Sequence, residues 1–371
     1  MSTPSAIDAQ VLVPCRDLGA SIAFYTDTLG FRLDMIMPAD APRVAVVSLG
    51  GLALRLERAD SRHAPPPPTL RLSGDARWLA GFDHRDIEAP DGVRILLETD
   101  TPRPAMRRDA GDEGAGPVIT RASEGAAAAG RAGMQYRDLI PGRLGGRYIA
   151  SHIAIPDGGP VPDYVHYHRV RFQMIYCLRG WVRVVYEDQG APFVMHAGDC
   201  VLQPPTIRHR VLEASAGLEV LEIGGPAEHE TFREHTFDLP TQNLEPEREF
   251  SGQRFVRHVA QDARWEDCEA SGFRFRDTGI AMATNDMASV RVLRATAERL
   301  PATWRSRVDE RRLRFLAVLD GSITLQTDAP GAYALDAGDT CVIPPGTHVT
   351  LRSNTPCEVL DAVLPSSLQD D

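Results

Sequence analysis

Near the start of the chain, the pattern of apolar residues changes from that of a buried strand to that of a helix with one apolar face. The run Val11-Leu12-Val13-Pro14-Cys15 is almost wholly apolar, as a buried strand is. From Leu18 to about Leu29 the apolar residues recur at the spacing of one helix face. Asp17 stands at the expected N-cap, and Gly30 stands where such a helix would stop. The pattern predicts a strand followed by a helix.

Two more apolar runs follow in the same section of the chain. Val44 to Leu49 and Leu52 to Leu56 meet at Gly50-Gly51, as the strands of a hairpin do. The four prolines at 65–68 then interrupt any regular element. Residues 1–101 are therefore expected to form a small α+β domain.

A change of composition separates this section from the rest. Residues 102–133 are rich in Ala, Gly, Arg and acidic residues and show little periodicity, so they predict a partly disordered linker. From about Tyr136 to Leu364 the pattern is one of short strands and turns. The second section is expected to be mainly β.

This β-rich section contains an internal repeat. The stretch 171–180 is echoed by 312–321, and 197–205 is echoed by 337–345. Gly180 and Gly321 are 141 residues apart, and the glycines at 198 and 338 are 140 apart, so the register is kept within one residue. The repeat predicts two copies of one β unit, over residues 134–240 and 241–371.

Composition and charge narrow the classes of partner. The chain has 371 residues, a formal net charge of −11 and six cysteines. Nucleic acid and an anionic membrane would be repelled by such a surface. Cysteines without a C-x-x-C spacing, several of them inside apolar runs, indicate buried thiols in a reducing compartment. We expect a cytoplasmic protein that acts on a small molecule and binds neither nucleic acid nor membrane.

His166-Tyr167-His168 is the strongest chemical signal. On a strand, residues two apart face the same side, so both imidazoles can point at one spot. Gln173 and His209 can complete a ligand set if the fold brings their strands alongside. Taken alone, such a pair of histidines is also compatible with a surface site or a hydrogen-bonded core.

Two spaced patterns resemble the two sequence motifs of the cupin superfamily. The first pattern is formed by His166, His168, Gln173 and Gly180. The second is formed by Gly198, Pro204 and His209. The chain departs from the family at Gln173, where the usual residue is Glu, at Thr206, where it is Gly, and at Glu213, where it is Asn. The patterns resemble a bicupin, because the surrounding sequence is repeated.

The resemblance implies two small antiparallel barrels, with one divalent transition metal held in the first. The implied ligands are His166, His168, Gln173 and His209. Fe(II) is favoured, and Zn, Ni and Mn are alternatives that such ligands also bind. Because these ligands are neutral, the 2+ charge would stay uncompensated and would attract an anionic oxygen of a substrate. Gln is also a weak ligand, so open positions favour catalysis over a structural role.

Other side chains are candidates for the mouth of the same barrel. His152 and Tyr164 are the candidate catalytic residues, and a structural imidazole and rim packing are the respective alternatives. The candidate substrate-binding residues are Tyr167, Cys177 and Arg208. Their respective alternatives are rim packing, a packed inert thiol and a solvated arginine, and the inert thiol and the solvated arginine are the preferred interpretations of Cys177 and Arg208.

The second copy lacks the ligand set. Counted along the sequence, Arg307, Asp309 and Arg314 stand at the three ligand positions of the first motif. His348 is the histidine that remains, and it is one residue out of register. We expect a structural barrel that supports the first one or an oligomer interface.

The N-terminal section resembles another superfamily. The stretches 11–18 and 21–31 are similar to the opening βα unit of the glyoxalase/bleomycin-resistance superfamily, and 91–96 resembles its closing strand. The resemblance implies a βαβββ-type domain, the vicinal oxygen chelate fold. Gln10, Arg55 and Leu96 stand where that family has metal ligands. We therefore expect a metal-free docking or substrate-covering module rather than a second active site.

Three functions follow from these expectations. The first is a non-haem Fe(II) dioxygenase acting on a small anionic aromatic or keto-acid compound. The second is a redox-neutral Zn-, Ni- or Mn-dependent isomerase or lyase acting on a sugar acid or keto compound. The third is a non-catalytic bicupin that binds a small ligand. The fold alone does not choose among these functions. A homodimer is a further expectation from the family.

Overall fold

The chain is divided into two compact units in the computed structural model. The first unit comprises 1–105 and 230–235, and the second comprises 106–229 and 236–371. The structure describes residues 8–15, 17–28, 31–49, 52–58, 69–74, 76–80, 84–88, 94–99, 116–125, 127–130, 133–268 and 271–368. In these parts of the chain, no helix has the length and apolar character needed to cross a membrane.

The first unit is one mixed sheet with two short helices. Its elements are β1 (Asp8–Cys15), α1 (Leu18–Ala23), a π-helical turn (Phe24–Thr28), β2 (Arg32–Met37), β3 (Val44–Leu49), β4 (Leu52–Arg58), β5 (Thr69–Gly74), α2 (Ala76–Leu79), β6 (Asp86–Glu88) and β7 (Arg94–Thr99). The strand order is β2-β3-β4-β1-β5-β7-β6, with β1 parallel to β4 and antiparallel to β5. The first five regular elements, β1 to β4 with α1, form a βαβββ module, as predicted.

The predicted start of the helix is confirmed. The backbone N–H of Ala20 donates to Asp17 Oδ1 over 2.9 Å, as an N-cap requires. The α-helix ends at Ala23, earlier than expected, and continues as the π-helical turn. The hairpin of β3 and β4 is also confirmed by its antiparallel pairing. Its turn at Gly50-Gly51, the stop at Gly30 and the prolines at 65–68 lie outside the described residues.

The N-terminal unit has no ligand constellation among the residues that the structure describes. Arg55 is buried and forms an ion pair with Glu57, with Nε 2.5 Å from Oε1. Gln10 is paired with Ala53 on β4, and Leu96 is half-buried on β7. A cationic guanidinium and an apolar side chain cannot coordinate a metal ion.

The first barrel lies in the second unit. Its elements are β8 (Val118–Thr120), β9 (Ala128–Ala129), β10 (Gln135–Asp138), α3 (Arg143–Gly146), β11 (Ile149–Ile155), β12 (Gly159–Pro160), β13 (His166–His168), β14 (Phe172–Arg179), β15 (Trp181–Tyr186), β16 (Phe193–His196), β17 (Cys200–Leu202), β18 (His209–Ala214) and β19 (Leu218–Gly225). One sheet has the order β17-β14-β19-β11-β10, and the other has β16-β15-β18-β13. The next strand, β20 (Thr231–Arg233), belongs to the first unit and pairs with β2.

The second barrel repeats this topology. Its elements are β21 (Glu249–Phe250), β22 (Gln253–Arg254), β23 (Val256–His258), β24 (Glu266–Asp267), β25 (Phe273–Asp277), α4 (Ile280–Ala283), β26 (Ser289–Ala295), a 3₁₀ turn (Ala297–Arg299), β27 (Ala302–Arg307), β28 (Arg312–Asp320), β29 (Ser322–Gln326), β30 (Tyr333–Asp336), β31 (Thr340–Ile343), β32 (His348–Ser353) and β33 (Cys357–Pro365). The sheet orders are β31-β28-β33-β26-β25 and β30-β29-β32-β27. Strand for strand, both orders match the first barrel.

Each barrel contributes an edge strand to a sheet of the other barrel. β23 pairs with β17 of the first barrel, and β8 pairs with β31 of the second. Two equivalent aspartates fix these exchanges, because Asp199 accepts from the N–H of Ala260 and Asp339 from that of Ala122, each over 2.8 Å. Part of the stretch expected to be a linker, 102–133, is therefore a paired strand, and 102–115 lie outside the described residues.

The repeated glycines occupy tight turns. Gly180 and Gly321 follow β14 and β28 with φ of 75° and 71°. A Cβ at Gly180 would lie 2.3 Å from Ser215 Oγ, and one at Gly321 would lie 2.2 Å from the carbonyl oxygen of Pro356. Both the left-handed backbone and the close approach exclude a side chain. The spacing of the repeat is thus set by turn geometry.

Alternate residues of β14 enter two different cores. Phe172, Met174 and Tyr176 pack in a cluster that also contains second-barrel residues such as Phe315, so the barrels share a core. Cys177 instead packs inside the first barrel. Gln173 has the parity of Cys177 and faces the barrel interior.

Candidate metal centre

Three buried imidazoles converge inside the first barrel. His166 and His168 lie on β13, and His209 at the start of β18 is the direct partner of His166 across the sheet. One ring nitrogen from each of the three lies within 4.8 Å of the others. Their exposed fractions are 1%, 6% and 5%, so the group is shielded from bulk water. The structure brings these three predicted ligands together.

Backbone carbonyls orient two of the rings. His166 Nδ1 lies 2.8 Å from the carbonyl oxygen of Tyr164, and His209 Nδ1 lies 3.0 Å from that of Ile207. A carbonyl only accepts, so each Nδ1 carries a proton, and in the neutral ring Nε2 keeps its lone pair. The buried Asp163 also faces His166, with Oδ1 3.7 Å from Nδ1. Metal-bound histidines are commonly held in this way by a hydrogen bond from the other nitrogen. The donor set therefore fits a divalent metal ion.

Gln173 lies beside the imidazoles and is 2% exposed. Its Oε1 accepts from Gln203 Nε2 over 3.1 Å, and its Nε2 donates to Glu222 Oε1 over 2.6 Å. Gln203 Nε2 is also 3.4 Å from His209 Nε2. Gln173 Oε1 is the atom of this side chain that can bind a metal ion. It lies next to Gln203, and Gln203 in turn lies next to His209 Nε2.

Glu222 and His229 are polar residues near the site that were missed by the sequence reasoning, as were Asp163 and Gln203. Glu222 lies on β19, where its parity is that of the interior residues Leu218 and Val220. His229 is buried, with its Nδ1 2.9 Å from the carbonyl oxygen of Pro226 and its ring centroid 5.3 Å from that of His168. Both lie outside the two motifs. A polar residue on the interior face of an apolar strand was the available signal for Glu222.

Tyr164 is close to the imidazole group. Its half-buried ring meets that of His166 edge to face, with the centroids 5.8 Å apart, and its carbonyl holds the same imidazole. The candidate catalytic residue His152 is elsewhere. It shares the strand face of Ala150, whose cluster is the core between the barrels, and its Nε2 lies 2.9 Å from Glu219 Oε2. The structure does not bring His152 to the imidazoles.

Tyr167 and Arg208 lie together on the other face of their strands. Tyr167 stands between the two inward histidines of β13, and Arg208 precedes His209, so both alternate outward. The Arg208 guanidinium stacks on the Tyr167 ring at 5.3 Å and on the Phe237 ring at 4.8 Å. It also forms an ion pair with the buried Glu187 over 3.3 Å. This geometry places the pair against the outside of the barrel.

Cys177 faces inward, as expected, but four residues along β14 from Gln173. Four residues of strand correspond to about 13 Å. The thiol packs among apolar side chains such as Val182 and Val220. Burial raises its pKa to about 12. Cys177 therefore lies in the apolar interior of the barrel, away from the imidazoles.

Comparisons with known families agree with this architecture. Residues 151–224 match the family model described as Cupin domain. Residues 9–90 match the model of the Glyoxalase/Bleomycin resistance protein/Dioxygenase superfamily. The chain is a bicupin with an N-terminal glyoxalase-like domain. No curated protein matches its sequence.

Solved structures with a similar course of the chain include two oxalate decarboxylases. That of Lactobacillus farciminis, as a formate complex, is 15% identical with a TM-score of 0.49, over 67% of this chain and 86% of that one. That of Bacillus subtilis at pH 4.6 is 12% identical with a TM-score of 0.48, over 67% and 76%. The protein Ylba from E. coli is 10% identical with a TM-score of 0.49, over 69% and 94%.

The second cupin has different side chains at the matching positions. On β27 the interior residues are Trp304 and Ser306, and Arg307 faces out, because Ser306 pairs with the buried Val349 and Arg307 with the exposed His348. Ser306, Val308 and Val349 therefore occupy the places of the three imidazoles. The predicted match of Arg307 and Asp309 to ligand positions was wrong by one residue. A shift of one residue along a strand moves a side chain from the interior face to the exterior face.

Arg314 does occupy the place of Gln173, as expected. It is 5% exposed, and its Nε lies 3.0 Å from Oδ1 of the buried Asp361. Arg291 Nε lies 2.9 Å from the other oxygen of that carboxylate. Trp304 packs under the Arg314 guanidinium at 4.8 Å. Arg314 and Asp361 of this ion triad thus occupy the places of Gln173 and Glu222, and Arg314 Nη2 reaches Ser306 Oγ over 3.3 Å.

Proposed function

We propose that the first cupin is the active site of a non-haem Fe(II) dioxygenase acting on a small anionic aromatic or keto-acid compound. The observation that supports this is the set of three buried imidazoles, each with one ring nitrogen within 4.8 Å of the others, close to Gln203 and Gln173. Since no ligand carries a negative charge, an anionic oxygen of the substrate would be attracted to the same place. His166, His168 and His209 are the proposed ligands, with Gln173 as a weaker fourth.

The residues supply the environment that such a reaction needs. Bound Fe(II) would mediate the transfer of electrons from the substrate to O₂. The substrate itself would supply the four electrons and take up both oxygen atoms, so no external reductant is required. Burial of the imidazoles excludes bulk water. Tyr164 is the proposed substrate contact, because its half-buried ring lies against His166. His152, Tyr167, Cys177 and Arg208 take no part in this proposal.

A redox-neutral isomerase or lyase holding Zn, Ni or Mn is the second candidate. The polar side chains beside the imidazoles favour it, because Gln173, Gln203 and Glu222 offer a fixed series of donors and acceptors. Such a series suits a hydroxylated substrate, for example a sugar acid. The homodimer and the metal-free docking role of the glyoxalase-like domain stay predictions.

Purification without O₂, metal analysis and substrate panels distinguish these functions. Iron in the purified protein, with O₂ consumed on addition of a small aromatic or keto acid, is the expected result. Zinc, nickel or manganese with turnover of a sugar acid in the absence of O₂ would replace the dioxygenase by the second candidate. Tight ligand binding without turnover on either panel would contradict both and leave a binding protein.

A further inference from the structure

A directed series of hydrogen bonds runs through the interior of the first cupin. The Tyr186 hydroxyl donates to Gln203 Oε1 over 2.6 Å, and Gln203 Nε2 donates to Gln173 Oε1 over 3.1 Å. Gln173 Nε2 then donates to Glu222 Oε1 over 2.6 Å. Tyr186, Gln203 and Gln173 are each at least 96% buried, so water does not substitute for these partners.

The carboxylate end gives the series its direction. The Tyr186 hydroxyl donates to Gln203, but a hydroxyl can also accept, so this end is not the one that fixes the order. At the other end, a carboxylate accepts and cannot donate. Each amide between them has one accepting and one donating side. With the Glu222 end fixed, neither amide can turn over without placing two donors or two acceptors face to face.

This direction matters for the atom that Gln173 presents. An amide oxygen has lone pairs that bind a cation, whereas the amide nitrogen has none to offer. Glu222 takes the nitrogen, so Oε1 is left on the side of Gln203, whose Nε2 neighbours His209 Nε2 at 3.4 Å. A turned amide would set its N–H groups against Gln203 Nε2 and leave no lone pair on that side.

We infer that Glu222 is a positioning residue of the candidate metal centre, which orients Gln173 with its oxygen toward the imidazoles. The inference rests on the proposed metal site and adds to it a carboxylate from a third strand. It also places a negative charge next to an otherwise neutral ligand set. A hydrogen-bonded carboxylate behind a ligand raises the ligand's affinity for a cation.

The second cupin supports this assignment. Glu222 is paired with Ile175 across β19 and β14, and Asp361 is paired with Leu316 across β33 and β28, so the two acids occupy the same place. In each barrel the acid faces the side chain at the Gln173 position. There Asp361 holds a guanidinium, Arg314. An acid at this place therefore contacts the polar side chain of the neighbouring strand in both barrels, by a hydrogen bond in the first and by an ion pair in the second.

The first test is the variant Glu222→Gln, with Co(II) as the probe. An amide at 222 can donate as well as accept, so it no longer selects one orientation of Gln173. We expect Co(II) affinity to fall about 10- to 100-fold in competition with a chromophoric chelator. The visible Co(II) spectrum should change too. The control is Glu213→Gln, since Glu213 is paired with Arg183 on the barrel surface over 3.0 Å.

An exchange of the two groups provides the rescue. The double variant Gln173→Glu with Glu222→Gln keeps one amide and one carboxylate in hydrogen-bonding contact, so it should bind Co(II) at least as tightly as the wild type. Gln173→Glu alone sets two carboxylates face to face and should bind more weakly than the double variant. These two variants test the inference even if Glu222→Gln does not fold, which thermal unfolding of the metal-free proteins would reveal.

The outcomes separate the inference from the proposed function. Wild-type affinity and spectrum in Glu222→Gln, or equal affinity in Gln173→Glu and the double variant, would overturn the role of Glu222 and leave the metal site intact. A wild-type protein that binds no Co(II) would instead overturn the metal site, and the inference with it.

Discussion

The two cupins of this chain have one topology and two different interiors. In the first, three imidazoles and an amide lie together, Glu222 stands behind the amide, and the buried Asp163 lies 3.7 Å from His166 Nδ1. In the second, the matching strands carry Ser306, Val308 and Val349. Its charges are already paired, since Asp361 lies between two guanidinium groups.

The difference shows which properties the barrel itself provides. Strand order, glycine turns and an interior-facing acid on the strand next to β14 or β28 are common to both copies. The groups that could bind a ligand are not. A fold supplies positions that face a shared interior, and only the side chains at those positions decide on chemistry. We interpret the second interior as closed by its own charges and the first as completed by a metal ion.

Removing an imidazole should have the largest effect. In His168→Ala the remaining donors leave the metal ion with too few ligands, and we expect less than a tenth of the wild-type metal content after dialysis, measured by elemental analysis. His348→Ala is the matched control, because this histidine of the second cupin is 68% exposed and paired with Asp328. Equal metal loss in the two variants would remove the distinction between the barrels.

Breaking the ion triad should chiefly affect stability. Asp361→Ala leaves two guanidinium groups without their shared partner, and such a loss from a buried pair costs about 3–5 kcal/mol. Urea unfolding would measure the change. The double variant Arg314→Met with Asp361→Leu replaces the Arg314–Asp361 pair by apolar groups and should recover most of the loss. Metal content should be unchanged in both, and a loss of metal would contradict the separation of the barrels.

A smaller effect is expected at the turn before His209. Thr206 has φ of 65°, while the matching residue of the second cupin is Gly346 with φ of 75°. A left-handed conformation costs a β-branched residue about 1–2 kcal/mol, and the extra freedom of an unfolded glycine offsets part of this. Thr206→Gly should therefore stabilise the protein by about 0.5–1 kcal/mol in urea unfolding. A destabilised variant would indicate a contact that the threonine side chain provides.

Two buried thiols should behave alike and show the smallest effect. Burial raises the pKa of Cys177 and of Cys341, one in each barrel, to about 12. A pH of 8 is well below both pKa values, so the reactive thiolate form is rare. Burial also shields both thiols from reagents in solution. Neither should react with iodoacetamide until urea unfolds the protein, as mass mapping would show. Rapid labelling of Cys177 but not of Cys341 would show that Cys177 is accessible, and it would again be a candidate substrate-binding residue.

Much of the fold was predicted from sequence because local spacing carries it. The alternation of apolar residues, the repeated glycines and the Asp17 cap each depend on a few neighbouring residues. The exchange of edge strands was not predicted. Val118–Thr120 is three residues long and gains its stability from pairing with β31, more than two hundred residues away. A signal so short does not stand out from an irregular stretch.

Sequence alone determined the bicupin layout and the inward-facing His166 and His168, because the two-residue period of a strand fixes which side chains share a face. The tertiary structure decided which strands are neighbours. It set His209 opposite His166, brought Glu222 to Gln173, and turned His152 and Arg208 away. Such contacts depend on the non-local register of strands, where a shift by one residue reverses every side chain, as Ser306 and Arg307 show.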